Sequence, residues 1–162
     1  MILRLTFCLV ALLLGTVSAR GQSPQPADPP KGQARSSATL LEYNEKEVDG
    51  VKLLPIEANI VSYTNDERAR YGLPPLQVDA ELMATAREQA SWMTRSGRLM
   101  HTMGAVAENI AMGQPDSRDA VQAWMNSAGH RANILNAAHR LIGAAAFRTE
   151  GGTIFWCQQF RP

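Results

Sequence analysis

The chain has 162 residues, 45% of them hydrophobic, and carries 16 Lys and Arg against 15 Asp and Glu. This length suits one domain with a sizeable core. The nearly neutral balance of charge argues against nucleic acid and anionic membranes as partners, because both attract strongly basic surfaces.

Residues 1–19 are predicted to be an export signal. A single basic residue, Arg4, precedes an apolar run over residues 5–14, and the small-residue sequence VSA at 17–19 is a cleavage site. The apolar run is much shorter than the roughly 20 residues that a membrane-spanning helix needs. We therefore expect no membrane span and a secreted protein, either extracellular or periplasmic.

The cysteine content changes when this signal is removed. Cleavage after residue 19 takes away Cys8 and leaves Cys157 alone, so no internal disulfide is expected and stability must come from the core. Cys157 is predicted to be a small buried hydrophobic residue rather than a nucleophile, which is the usual behaviour of a free cysteine.

Residues 20–54 are predicted to be a flexible leader before a domain over residues 55–162. Up to about residue 38 the leader consists mainly of Pro, Gly, Gln and Ser. Such a segment has too little apolar surface to offset the entropy of ordering. The sequence LEYNEKEVDGVKLLPIEA that follows is transitional, and a short strand or helix is expected there.

Four helices are predicted from the spacing of apolar residues and from capping residues. Each begins after a capping side chain or ends at Gly or Pro. Their expected positions are residues 56–71, the segment from the N-cap Asp79 to Gly97, a segment capped by Asp116 or Ser117, and a short helix from about Ala128.

The pattern then changes to that of two antiparallel strands. LIGAAAF is small and apolar, TIFWCQQF is rich in β-branched and aromatic residues, and TEGG between them predicts a turn. Because side chains alternate along a strand, Trp156 and Cys157 should face opposite sides. Helices around a small antiparallel sheet indicate an α+β layered domain.

Three residues are candidates for one functional cleft: His101 and Glu108 in HTMGAVAENIAMG, and His130 in AWMNSAGHRANILN. Imidazoles beside a carboxylate can support metal binding or proton transfer. The odd spacing of His101 and Glu108 would put them on opposite faces of a strand, so the chain must turn between them, and Gly104 is expected to permit the turn. In the alternative interpretation His101 ends a helix and Glu108 is a surface acid.

Ser127 and His130 are three residues apart and share a face if this segment is helical. The alternative role of Ser127 is to cap that helix. Their proximity is not evidence for a hydrolase, since the sequence contains no GxSxG, HExxH or CxxC motif.

Other polar residues near these motifs are given structural roles. His139, at the entry to a strand, is predicted to be an ordinary surface histidine. Three asparagines are expected to satisfy backbone groups around turns. These are Asn126, Asn133 and Asn136.

Together with segments of the first two predicted helices, the motifs around His101, Glu108 and His130 and the two strand sequences resemble the CAP superfamily. This superfamily, also called SCP-like extracellular proteins, includes cysteine-rich secretory proteins, venom allergens and plant pathogenesis-related proteins. The resemblance covers about residues 56–160 and looks closest to the bacterial secreted branch. The blocks that carry it are NDERARYGLPPLQVD with ELMATAREQASWM, HTMGAVAENIAMG, AVQAWMNSAGHRANILN, and IGAAAF with FWCQQF.

The resemblance implies a three-layer α-β-α sandwich whose cleft is lined by two histidines and two acids. His101, Glu108 and His130 match three of these positions. Ser127 stands where the second acid is usual, three residues after Trp124. A serine lacks the charge with which a second carboxylate would stabilise an imidazolium or hold a metal-bound water.

Some relatives in the superfamily bind a divalent metal, often zinc, some bind sterols or fatty acids, and proteolysis has been proposed for a few. Our leading interpretation is a secreted, non-enzymatic binding module with His101, Glu108, Ser127 and His130 lining a ligand cleft. His101 and His130 are the candidate metal ligands, and Glu108 is a candidate third ligand of an open zinc site.

Two other interpretations stay open at this point. One is a metal-assisted hydrolase of peptide or envelope polymer that uses Glu108, His101 and His130 as catalytic residues. The other is a carrier of lipid or sterol in an apolar groove. The ligand is accordingly expected to be a small molecule, a lipid or an envelope component.

Overall fold

The computed structural model describes residues 46–162 of the chain. This part begins with two short strands. Strand β1 (Lys46–Val48) pairs antiparallel with β2 (Val51–Leu53). The two turn residues, Asp49 and Gly50, have φ of 51° and 78°, as a two-residue hairpin turn of this type requires. The hairpin lies in the transitional segment, and the predicted signal and the earlier leader lie outside the described residues.

Helix α1 (Pro55–Arg70) begins with proline at a position where its missing N–H costs nothing. The Glu57 carboxylate accepts a hydrogen bond of 2.9 Å from the backbone N–H of Leu54. The helix ends before Gly72, which has φ of 71°. The predicted bounds, residues 56–71, differ from the observed ones by a single residue at each end.

Helix α2 (Ala80–Ser96) has both of its predicted caps. Asp79 accepts a 2.8 Å hydrogen bond from the backbone N–H of Leu82, and Gly97 ends the helix with φ of 66°. A left-handed residue at this position is the common way to end a helix. The sequence prediction for this helix is confirmed.

Two shorter helices follow, α3 (Ser117–Met125) and α4 (Ala128–Ile134). Asp116 caps α3 by accepting a 3.0 Å hydrogen bond from the backbone N–H of Asp119. The Ser117 hydroxyl instead donates to the Ile56 carbonyl at 3.0 Å. Of the helices within residues 46–162, none is long and apolar enough to cross a lipid bilayer.

A four-stranded sheet forms the middle of the domain. Its spatial order is β3-β5-β6-β4, with β3 parallel to β5 and the other pairs antiparallel. The two predicted strands are therefore its centre, and two further strands extend it. The strands are β3 (Gln77–Val78), β4 (Ala107–Met112), β5 (Leu141–Arg148) and β6 (Ile154–Arg161).

Both faces of the sheet are covered by helices. Cys157 faces Ala86, Ala90 and Met93 of α2, whereas Trp156 lies in the larger core formed with α1, α3 and α4. Gly143 of β5 permits the close approach of α2, because a Cβ there would lie 2.2 Å from backbone atoms of Leu82. The predicted α-β-α sandwich, the opposite directions of Trp156 and Cys157, and the burial of Cys157 are confirmed.

One buried cation fastens α1 to the segment after α4. Arg68 is 0% exposed. Its guanidinium donates to the carbonyls of Pro74 at 3.0 Å, Ile134 at 2.7 Å and Asn136 at 3.0 Å. Its buried charge is therefore compensated by backbone dipoles, and the carbonyls at the end of α4 gain donors that the helix cannot supply.

The prediction that His139 is a surface histidine was wrong. Its exposed fraction is 6%, its ring stacks on Phe160 with centroids 5.3 Å apart, and its Nδ1 lies 3.1 Å from the Asn133 carbonyl oxygen. Burial lowers the pKa of His139, and the charge of Arg68 lowers it further, against the opposing effect of the Asn133 hydrogen bond. The segment between α4 and β5 folds back onto β6, which a reading of local spacing does not reveal.

Candidate functional site

Strand β4 lies at one edge of the sheet, next to β6. Glu108 pairs with Gln159, and Asn109 pairs with Gln158. Because side chains alternate along a strand, Glu108 points toward the α2 layer and Asn109 toward the layer of α1, α3 and α4. Two consecutive residues therefore reach into different layers of the sandwich.

The carboxylate of Glu108 is surrounded by hydrogen-bond donors, and its side chain is only 3% exposed. Oε1 lies 2.8 Å from His101 Nδ1 and accepts from the Thr102 backbone N–H at 2.9 Å. Oε2 accepts from Gln159 Nε2 at 2.9 Å and lies 3.5 Å from Cys157 Sγ. Glu108 is thus an inward-facing partner of His101, not a surface acid.

This contact determines how His101 is presented. A carboxylate at Nδ1 favours the tautomer with the proton on Nδ1, which leaves the lone pair on Nε2. The His101 side chain is 58% exposed, while its carboxylate partner is buried. The ring is therefore held at one nitrogen and open to solvent over much of its surface.

The thiol of Cys157 adds no nucleophile to this site. Burial, followed by the negative charge of Glu108, raises the pKa of Cys157 well above its ordinary value. Since the thiolate is the reactive form, a buried thiol beside a carboxylate is unreactive.

The predicted turn between His101 and Glu108 is present, but glycine is not the reason for it. Gly104 does not have positive φ, and a Cβ there would meet Thr102 Oγ1 at an ordinary 3.5 Å. The turn is closed by hydrogen bonds from Gly104 N–H to Thr102 Oγ1 at 3.2 Å and from Val106 N–H to the Gly104 carbonyl at 3.0 Å. The expectation that Gly104 is needed for the turn was wrong.

His130 lies in the first turn of α4 and is half-buried. Burial lowers its pKa, and the charge of His101 lowers it further, so His101 lies near enough to His130 for an electrostatic interaction. Among the described residues no hydrogen bond reaches the His130 ring. The structure therefore brings His101 and Glu108 into contact and His130 into their neighbourhood.

Ser127 precedes α4 at its N-cap and is half-buried. Its hydroxyl does not accept a hydrogen bond from the first turn of the helix, so the predicted side-chain cap is not formed. Ser127 lies one turn before His130. Its uncharged hydroxyl stands at the position where the family resemblance led us to expect a second acid.

The number of available metal ligands differs from the set considered from the sequence. Within residues 46–162, no three side chains of His, Cys, Asp or Glu gather to hold a metal ion. Glu108 does not complete such a set, because both of its oxygens face donors of the protein. In this neighbourhood, His101 Nε2 and the His130 ring are left without a hydrogen bond from the described residues.

Sequence reasoning missed the partners that support these residues, namely Thr102, Asn109, Gln158 and Gln159. A signal for two of them was present: the pair QQ interrupts the otherwise apolar strand sequence IFWCQQF, and both glutamines are buried. Buried amides in a strand indicate partners that the strand itself does not supply.

The domain has relatives among known proteins. The model of the cysteine-rich secretory protein family, CAP, matches residues 61–160. The uncharacterized protein YkwD of Bacillus subtilis (strain 168) is 39% identical over 121 residues, which are 64% of this chain and 46% of YkwD. The match thus spans less than half of that relative's length.

Solved structures with the same architecture include an extracellular protein containing a SCP domain from Bacillus anthracis str. Ames. It is 26% identical with a TM-score of 0.58, and the match covers 64% of this chain and 39% of that one. NaASP2, solved with Zn²⁺, is 14% identical with a TM-score of 0.55, covering 66% of this chain and 79% of its own. The second likeness concerns the fold alone.

Proposed function

We propose that this chain, which belongs to the cysteine-rich secretory protein (CAP) family, is a secreted, non-enzymatic binding module. Its cleft binds a divalent metal such as zinc through His101 and His130, with Ser127 and solvent at the open side. The observation that carries the proposal is the 2.8 Å contact between His101 Nδ1 and the buried Glu108 carboxylate.

This contact has the form of a support for a metal ligand. Metal-binding histidines usually donate their second ring N–H to a carboxylate or carbonyl, which fixes the tautomer and makes the ligating nitrogen more basic. Glu108 is itself fixed by Thr102 and Gln159. The free nitrogen of His101 is therefore pre-oriented before any ligand arrives.

His130 supplies the second imidazole. Its lowered pKa keeps the ring neutral at pH 7, and only a neutral imidazole can donate a lone pair to a cation. Two histidines leave the remaining coordination positions of zinc to water or to an external ligand. NaASP2, which shares the fold, was solved with Zn²⁺, and this supports zinc as the metal to test first.

Binding is a better account of the site than hydrolysis. A general base must reach the water that it deprotonates, but both Glu108 oxygens accept hydrogen bonds from inside the protein and the side chain is buried. Cys157 is unavailable as a nucleophile for the reasons given above. The relatives described as extracellular support a location outside the cytoplasm.

Zinc titration by calorimetry tests the proposal. We expect one zinc per chain, and we expect His101→Ala or His130→Ala to remove most of the binding. Glu108→Gln should weaken binding about 10- to 100-fold, because the orienting partner is lost. His139→Gln, which replaces the remaining histidine of the chain, is the matched control and should leave zinc affinity unchanged in the folded protein. An unmodified protein that binds no zinc, or histidine variants that bind as tightly, would refute the proposal.

A further inference from the structure

A row of buried polar side chains crosses the core from α1 to β4. The Thr64 hydroxyl donates to the Ile60 carbonyl at 2.7 Å. Gln158 Nε2 donates to Thr64 Oγ1 at 2.5 Å, and Asn109 Nδ2 donates to Gln158 Oε1 at 3.2 Å. Thr64, Asn109 and Gln158 are each 0% exposed. Water therefore cannot satisfy their polar atoms, and the hydrogen bonds within the protein have to do so.

The direction of these hydrogen bonds follows from chemistry. Thr64 has one hydroxyl proton and uses it on a carbonyl, so its oxygen must accept from the Gln158 amide nitrogen. The amide oxygen of Gln158 therefore faces Asn109. Because this oxygen can only accept, Asn109 must donate from its amide nitrogen. The same nitrogen of Asn109 donates to the His130 backbone carbonyl at 3.1 Å. Since a carbonyl only accepts, no flipped orientation of Asn109 satisfies both neighbours.

Asn133 completes the arrangement from α4. Its Nδ2 donates to Asn109 Oδ1 at 2.9 Å and lies 3.3 Å from the Glu108 carbonyl oxygen. His130 and Asn133 are three residues apart on one face of the helix. Helix α4 is therefore attached at two points to two consecutive residues of β4, and the polar atoms of the Asn109 side chain are all engaged.

We infer that Asn109 is a positioning residue for the candidate cleft: it holds the His130 backbone just as its neighbour Glu108 holds the His101 ring. This inference rests on the proposed function, because zinc is the ligand for which Asn109 would position His130. Adjacent residues of one edge strand, pointing into opposite layers, thereby set the relative placement of two imidazoles that come from different layers.

The position of His130 depends on this attachment because its ring has no hydrogen bond of its own among the described residues. Removing the Asn109 amide leaves the His130 carbonyl, Gln158 Oε1 and Asn133 Nδ2 each without one partner. Helix α4 spans only seven residues, so a shift of its first turn toward better hydrogen bonds displaces His130 relative to His101.

Zinc affinity of Asn109→Ala, measured by calorimetry on the full chain, tests the inference. We expect about 10-fold weaker binding, the loss typical for residues that support a metal ligand. Ser117→Ala is the matched control, because it removes another buried hydrogen bond, to the Ile56 carbonyl, away from α4. In a His130→Ala background the effect of Asn109→Ala should vanish, since a residue acting through His130 has nothing left to position.

Two additions keep the test decisive. If Asn109→Ala does not fold, Asn133→Ala takes its place, since Asn133 is half-buried and its loss leaves Asn109 in the core. In metal-free protein, NMR of the histidine rings should show the His130 signals shifted and sharpened in either asparagine variant, with the signals of Ser117→Ala unchanged.

The inference and the proposed function fail differently. Absence of zinc binding in the unmodified protein refutes the metal site, while the ring signals still report whether Asn109 positions His130. Unchanged His130 signals together with unchanged affinity, or an equal loss of affinity with and without His130, overturns the positioning role.

Discussion

Helix α4 has one histidine in its first turn and another in the segment that follows its last turn, and the two are in opposite situations. His130, at the start, has lowered pKa and a half-buried ring that no described residue hydrogen-bonds. His139, beyond the end, also has lowered pKa, but its ring is buried, stacked on Phe160 and close to the Asn133 carbonyl. A shifted pKa therefore does not identify a site by itself; the proposed site rests instead on a ring that no described residue hydrogen-bonds, with a second imidazole nearby.

Substitutions that disturb the segment after α4, where His139 lies, should lower the stability of the protein far more than substitutions at His130. Arg68→Met removes the donors to the buried carbonyls of Ile134 and His139 and to the more exposed carbonyls of Pro74 and Asn136. A buried acceptor without a partner costs about 1–3 kcal/mol, so we expect the free energy of unfolding to fall by at least about 2 kcal/mol in a urea titration. A loss below about 1 kcal/mol would show that water or relaxation replaces the guanidinium.

Exchanging the two histidines for alanine should separate the two ends. His139→Ala removes a stacked ring and a hydrogen bond and should cost about 2 kcal/mol of unfolding free energy, with zinc affinity unchanged. His130→Ala should cost under about 1 kcal/mol, because its ring has few partners, and should abolish most zinc binding. Denaturant unfolding and calorimetry on both variants measure this crossed pattern, and similar effects of the two changes would contradict the comparison.

Low pH should reduce the unfolding free energy of the protein through protonation of His139. Its pKa is lower in the folded protein than the ordinary value of about 6.5, so below that pH the unfolded chain binds the proton more readily. Stability is therefore fully present above about pH 6.5 and declines as the pH falls through the folded pKa. His139→Phe keeps an aromatic ring against Phe160 and should flatten this decline, while His130, whose pKa is also lowered, remains to titrate. Identical pH profiles of the two proteins would exclude His139 as the group responsible.

The smallest effect is expected in the turn that carries His101. Gly104→Ala needs no unusual φ, and its Cβ would meet Thr102 Oγ1 only at an ordinary 3.5 Å, so the unfolding free energy should change by less than about 0.5 kcal/mol. Gly97→Ala is the matched comparison, because φ of 66° disfavours a side chain, and it should cost about 1 kcal/mol. Thermal unfolding of both variants decides whether the turn needs glycine.

Much of the fold could be predicted because its signals are local. Asp79 and Gly97 mark the ends of α2 within the sequence, and alternation in IFWCQQF assigns Trp156 and Cys157 to opposite faces. For the segment before α1 only a short strand or helix was expected, and the parallel strand β3 and the burial of His139 were not predicted. The last two depend on partners distant in the chain, β5 for β3 and Phe160 for His139.

The site shows the same division. His101, Glu108 and His130 could be proposed from residue types and from the resemblance to a family. Their division of roles could not, because Glu108 becomes an orienting partner only through Thr102 and Gln159. Residue types and the resemblance indicate which residues could meet, but hydrogen bonds from other strands and helices determine which atoms remain available.

X-ray absorption at the zinc edge, on protein loaded with one equivalent of zinc, reports most directly which side chains bind the metal. We expect two imidazole ligands with Zn–N near 2.0–2.1 Å and light-atom ligands in the remaining positions, and one imidazole fewer in His101→Ala and in His130→Ala. A spectrum without imidazole scattering, or one that neither substitution changes, would contradict a zinc site formed by these two histidines.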